Sequence, residues 1–175
     1  MDAIEKHYRD RPRNRIAVRH FIKSLLDDDH LLEASFYFNQ LIKIDPKSIE
    51  TNKLGYLLAI KRFDNNVADF DRNLYEAGAD LATIYSLQLA YYLAFDSKNN
   101  ILNCANALVD IELKDSFGLN TLVQAVETAS DYKLASQFIN NYYKNINHTP
   151  HLDRMLKEIL VSRLTATLKS LREKK

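Results

Sequence analysis

Three glycines and three prolines punctuate 175 residues, and that scarcity constrains the fold more than any other feature of the chain. Glycine supplies left-handed turns and proline interrupts regular structure, so a chain nearly devoid of both favours long helices joined by short connections. Leu, Ala, Ile, Asn and Lys dominate, and Val is sparse, which points away from a sheet. An all-α fold is expected. At 46% apolar residues the chain can bury a continuous core, and its length suits one domain or a short solenoid. Lys and Arg total 24 against 23 Asp and Glu, a formal charge of +1. No global field therefore draws it toward nucleic acid, membrane or an acidic substrate.

Cys104, the single cysteine, sits among apolar neighbours and reads as a small buried thiol, with no internal disulfide available to it. Met1 to Arg15 is charged and lacks the apolar stretch of a signal peptide, and nowhere does the chain approach the roughly 18 apolar residues of a membrane helix. A cytoplasmic location and no membrane span are the resulting expectations. Asn147-His148-Thr149 matches a glycosylation triplet, which carries no weight without secretion.

One segment carries strong local information. In Glu33 to Pro46, Ala34, Phe38 and Leu41 fall on one helical face at steps of four and three, and Asp45-Pro46 ends the helix. This resembles the second helix of a tetratricopeptide repeat: a small residue, an aromatic four positions on, then a proline turn. Val18, Phe21, Ile22 and Leu25 stand where that family has its first-helix Trp, Leu, Gly and Tyr, with Ile22 departing from the small residue. Leu54-Gly55, Leu58, Val67, Leu74 and Ala79 form a second copy. Tyr85, Leu89, Tyr92, Ile101, Ala105 and Leu108 form a third. Leu119, Leu122, Val123 and Val126, followed by Asp131-Tyr132, Ala135, Ile139 and Tyr142, form a fourth.

The resemblance implies a helical-hairpin solenoid: an arginine-rich segment over 1–14, four repeats over 15–48, 48–81, 82–115 and 116–149, and a capping helix over 150–175. Thr149-Pro150 provides a helix start, and Leu152, Met155, Leu156, Ile159, Leu160, Leu164 and Leu168 recur at helical spacing. Asp27-Asp28-Asp29 is expected to form the first turn and to cap the helix after it.

Members of this family bind partners in a groove lined by their first helices. Carried over by register, that groove takes Arg19 and Lys23 from repeat one and Asn52, Tyr56 and Ile60 from repeat two. Repeat three adds Ser86 and Ala90, with Leu93 at the core edge, and repeat four adds Asn120, Gln124 and Glu127. The function implied is protein–protein interaction, as an adaptor or chaperone holding a peptide segment or helix of a partner. Small chaperones of bacterial secretion systems are similar in size and repeats. No cofactor, metal or catalytic residue is expected. His148 and His151 flank Pro150 with no fixed carboxylate or thiol beside them, and the three aspartates lack the twelve-residue spacing and central glycine of a calcium loop. Arg9, Arg11, Arg13, Arg15 and Arg19 form the one strong charge cluster. They supply a second reading, contact with nucleic acid or an acidic partner, which the balanced total charge disfavours.

Overall fold

The computed structural model of the chain describes residues 14–113, 115–145 and 154–174, with the side chains of 142–145 and 154–157 excepted. Among the described residues the protein is all-α, with nine helices and no strand. In chain order they are α1 (Arg15–Asp27), α2 (Leu31–Ile44), α3 (Ile49–Lys61), α4 (Ala68–Glu76), α5 (Leu81–Ala94), α6 (Lys98–Val109), α7 (Ser116–Ala129), α8 (Tyr132–Asn145) and α9 (Arg154–Glu173). The chain divides into two compact units between Ala79 and Asp80.

The first seven helices alternate in how they begin, whereas α8 starts behind Asp131, whose carboxylate accepts from Leu134 N–H at 2.8 Å. α1, α3, α5 and α7 each start behind a residue whose side-chain oxygen accepts a hydrogen bond from the first turn. These N-caps are Asn14, Ser48, Asp80 and Asp115. Each satisfies a backbone N–H that the helix itself leaves unpaired. α2, α4 and α6 start behind His30, Val67 and Ser97, none of which makes a side-chain cap bond. The tripled aspartate thus forms the turn but does not cap α2. Asp27 pairs with Lys23 at 2.6 Å, and Asp29 pairs with Lys61 at 2.7 Å.

The turns repeat more strictly than the caps. Asp29, Phe63, Asp96 and Ser130 are the non-glycine residues with positive φ among the described residues, and they stand 34, 33 and 34 positions apart. Each follows the capped helix of its pair. After α1, α3 and α5 the same two bonds close the turn: His30, Asp64 and Ser97 donate back to Leu25, Ala59 and Tyr92, and the residue before each donates to the carbonyl three positions earlier. This is the Schellman ending, which satisfies orphan carbonyls and reverses the chain within a few residues. Ser130 ends α7 with one backbone bond, to the Val126 carbonyl, and its hydroxyl donates to the Glu127 carbonyl. The left-handed conformation costs an L-residue about 1–2 kcal/mol, so four such residues are retained only where the packing of the flanking helices holds them.

In the first unit α1 packs on α2 and α3, α2 on α3, and α3 on α4. Val18, Phe21, Ile22, Leu25, Ala34, Phe38, Leu41, Leu54 and Leu58 are buried in one core, as the apolar spacing predicted. Gly55 is its notch. A Cβ there would come within 2.5 Å of the Phe70 ring and 2.6 Å of the Phe38 ring, which meet edge to face with centroids 5.9 Å apart. The missing side chain lets α2 and α4 press aromatic rings onto the α3 backbone.

In the second unit α5 packs on α6 and α7, α6 on α7 and α8, and α9 on α7 and α8. Leu89, Ile101, Ala105, Leu108, Leu119, Leu122, Val126, Ala135, Leu160 and Leu164 share its core. α9 therefore joins this core as expected of a covering helix. Its buried line runs through Leu160 and Leu164, with Leu168 partly buried, while Ile159, placed on that line by spacing, is 51% exposed. Ile159 precedes Leu160 by one residue, so a single helical step turns it outward. Thr149-Pro150, Leu152 and the His148–His151 pair lie outside the described residues, and Met155 and Leu156 lie where only backbone is described.

Candidate functional site

In the capped helices α1, α3 and α7 one spacing runs from cap to left-handed residue: 15 positions separate Asn14 from Asp29, Ser48 from Phe63, and Asp115 from Ser130. Their side chains can therefore be compared position by position. Four residues after the cap stand Val18, Asn52 and Leu119. Eight residues after it stand Ile22, Tyr56 and Val123. All six are buried. One step further on, at five and nine, stand Arg19, Lys53 and Asn120, then Lys23, Leu57 and Gln124. None of these six is buried. Adjacent helix positions are about 100° apart, so one step separates interior from surface.

Of the residues expected to line a groove, Arg19, Lys23, Asn120 and Gln124 are thus not buried. Asn52 and Tyr56 are. Both belong to the interior set, and Lys53 and Leu57 are their outward neighbours. Asn52 is fully buried, and its amide nitrogen donates to the carbonyls of Pro46 (3.2 Å) and Ser48 (2.8 Å) while its oxygen accepts from Asn73 Nδ2 (3.0 Å). It fastens the start of α3 to the preceding turn and to α4. Tyr56 is 1% exposed. Ile60 is half-buried on α3.

Ser86 is the third departure. It is 3% exposed, and its Oγ lies 3.1 Å from where a Cβ on Gly118 would stand. The two small residues bring α5 and α7 together, so Ser86 is withdrawn from the surface. Ala90 and Leu93 of the same helix are half-buried. On α7, Glu127 is ion-paired with Arg163 of α9. Both side chains stay more than a third exposed, and such a pair contributes little to stability.

Arg19 is outward but engaged. Its Nη2 donates to Asp45 Oδ2 at 2.5 Å, and the same carboxylate oxygen accepts from Ser48 Oγ (2.8 Å) and Thr51 Oγ1 (3.0 Å). Burial by itself pushes the Asp45 carboxyl up. The hydrogen bonds from Arg19, Ser48 and Thr51, with the Arg19 charge, outweigh it and hold the pKa below the ordinary carboxylate value. Asp45 was read from sequence only as a helix stop, yet it is the anchor between α1 and the start of α3. Arg9, Arg11 and Arg13 lie outside the described residues, and Arg15 is exposed.

A pocket of about 380 Å³ opens in the second unit where α5 begins and the α6–α7 connection ends. Its walls are Leu81, Ala82, Ile111 and Leu113, with hydroxyls from Thr83 and Ser86 and carboxylates from Asp80, Glu112 and Asp115. Sequence reasoning reached Ser86 but missed the pocket, because its two sides are about 30 residues apart and carry no joint motif.

Cys104 is buried and donates to the Tyr85 carbonyl at 3.3 Å, and burial pushes its thiol up to about 11, so it stays protonated at neutral pH. Among the described residues no group of three or more His, Cys, Asp or Glu could hold a metal ion, and no helix is long and apolar enough to cross a membrane. No family model matches the chain, and no curated protein or solved structure does.

Proposed function

We propose that the chain is a tetratricopeptide-like protein-interaction module, an adaptor or chaperone that engages a segment of a partner protein on the outward rows of its first helices. The observation that carries this reading is the shared register of α1, α3 and α7. Residues four and eight past the cap are interior in all three helices, and none of those five and nine past it is buried: Lys23, Asn120 and Gln124 are exposed, and Arg19, Lys53 and Leu57 half-buried. A repeated outward row presents equivalent side chains at regular intervals, which is how stacked helical hairpins recognise extended ligands. The row in the first unit carries Lys23, which pairs with Asp27, and the half-buried Lys53 and Leu57. In the second unit it is amide-rich, with Asn120 and Gln124, whose side chains can pair with both donors and acceptors of a peptide backbone.

The arginine-based alternative gains nothing from Arg19, whose charge is already matched by Asp45. The test is affinity capture of partners from native lysate, with and without nuclease. Wild type is compared with Lys53→Glu, with Gln124→Arg, and with a control on the second helix of a pair, Asn106→Glu. Contacts to charged groups contribute about 1.5–3 kcal/mol, so a row variant should weaken capture by about one to two decades. The expected result is nuclease-resistant capture lost in the row variants and kept in the control. Capture abolished by nuclease, or lost equally in the control, contradicts the reading.

A further inference from the structure

We infer that the outward face of α2 is a self-association surface, on which a second copy of this chain docks its own α2 in antiparallel orientation. The inference goes beyond the interaction reading above and does not depend on it.

The case starts from what α2 leaves in water. Leu32 is 83% exposed, Phe36 59% and Ile44 49%. Leu32 and Phe36 stand four residues apart on the side of the helix opposite Ala34, Phe38 and Leu41, which face the core. Ile44 flanks the same outward face at the helix end. The Phe36 ring meets Tyr37 edge to face at 5.1 Å, and Tyr37 meets Phe21 in the same way at 4.8 Å. An exposed ring tied to the core through such contacts is preorganised, so little ordering is required when it docks.

The other second helices show that this position is not apolar by necessity. Leu32 and Phe36 stand three and seven positions after the left-handed Asp29. The same steps after Asp96 give Asn99 and Asn103 on α6, and after Ser130 they give Lys133 and Gln137 on α8. After Phe63 they give Asn66 and Phe70, whose ring is turned onto Phe38. Among the described residues, a water-facing apolar pair at this register is therefore confined to α2. Single exposed apolar residues are ordinary, whereas grouped ones mark contact surfaces.

Charge selects the occupant. The face is acidic at its start, with exposed Asp28 and Glu33, and basic at its end, with exposed Lys43 and Lys47. Glu33 lies 3.9 Å from His30 Nδ1, and neither lysine has an ion-pair partner among the described residues. Across a two-fold axis each contact occurs twice, with the two residues exchanging roles. An antiparallel pairing can thus set Glu33 of each copy opposite Lys43 of the other. The same register sets Phe36 opposite Gln40, because both pairs share one midpoint in the helix. A parallel pairing would bring like charges together instead. With 14 residues α2 is about 21 Å long, and its face alone falls short of the roughly 800 Å² per partner of a standard interface. The dimer is accordingly weak and concentration-dependent.

Sedimentation equilibrium of the full chain, from about 1 µM to about 1 mM, tests this directly. Wild type should dimerise reversibly within that range. Phe36→Ser should weaken the dimer about tenfold or more while leaving the helical circular dichroism spectrum unchanged. Leu32→Gln, at the most exposed of the three positions, repeats the test if Phe36→Ser folds poorly. Glu33→Lys and Lys43→Glu each juxtapose like charges, and each alone should weaken the dimer by a similar factor. Mixed in equal amounts, these two variants should associate with each other, since every 33–43 contact then joins opposite charges. Lys98→Glu, the same charge change on α6, should dimerise as wild type does. A wild-type chain that stays monomeric across the range overturns the inference. A dimer indifferent to both apolar substitutions overturns it too, by placing the interface on another face. Charge variants that associate no better mixed than alone would contradict the antiparallel pairing and with it the second copy as occupant of this face.

Discussion

Asn52 takes a position that α1 and α7 give to Val18 and Leu119, and it is tolerated there because its amide is fully used. Replacing it by Ala leaves the Pro46 and Ser48 carbonyls and the Asn73 amide without that partner, at a cost of about 1–3 kcal/mol. Asn52→Ala should therefore lower the urea midpoint while leaving partner capture by the folded fraction unchanged. An unchanged midpoint with impaired capture would restore Asn52 to the binding row. Its neighbour Asp45 follows the same logic with charge. Its folded pKa is depressed, so its contribution is present above the unfolded carboxylate pKa and is lost as pH falls through the lower folded one. Neither role was legible in sequence. Register on a helix is lost by a one-residue slip, and the slip at repeat two placed Asn52 and Tyr56 where Lys53 and Leu57 stand. The buried apolar residues were legible because several of them, Phe21, Phe38 and Leu41 among them, repeat the same face and tolerate such a slip.

At the scale of the element, the helices and their pairing were readable from apolar spacing, and their turns were not. A left-handed turn is ordinarily announced by glycine, whereas here Asp29, Phe63, Asp96 and Ser130 adopt it without that signature. The packing of consecutive helices imposes it. The one glycine that sequence singled out for helix packing is Gly55, and its surroundings give it a measurable role. Gly55→Ala gains about 1 kcal/mol of helix propensity but drives a Cβ into two aromatic rings, an overpacking cost of about 1–3 kcal/mol. The expected net effect is destabilisation, seen as a lower melting temperature. Gly118→Ala is the internal comparison. Its nearest contacts, at 3.1 Å, are to Ser86 Oγ and Asp115 Oδ1, and it should cost less. A melting temperature raised by Gly55→Ala would show that Phe38 and Phe70 do not close on α3.

For the whole molecule, four hairpin-like pairs and a final helix were expected as one run, and the chain divides into two compact units meeting in sequence at Ala79–Asp80. The apolar pattern is alike on both sides of that point, and it does not encode which apolar faces find each other. The boundary falls within two residues of the division between the second and third predicted repeats, just past the left-handed Gly78. Each unit carries its own outward row, and α9 closes over α7 in the second without covering Asn120 or Gln124, which stay exposed. The central claim is that these rows meet a partner protein, and site-specific photo-crosslinking tests it most directly. A photoreactive residue at Lys53 or Gln124 should yield nuclease-resistant protein adducts in native lysate, whereas the same residue at Asn106 on α6 should yield few. Adducts of equal strength at Asn106, or adducts that vanish with nuclease, would contradict the account.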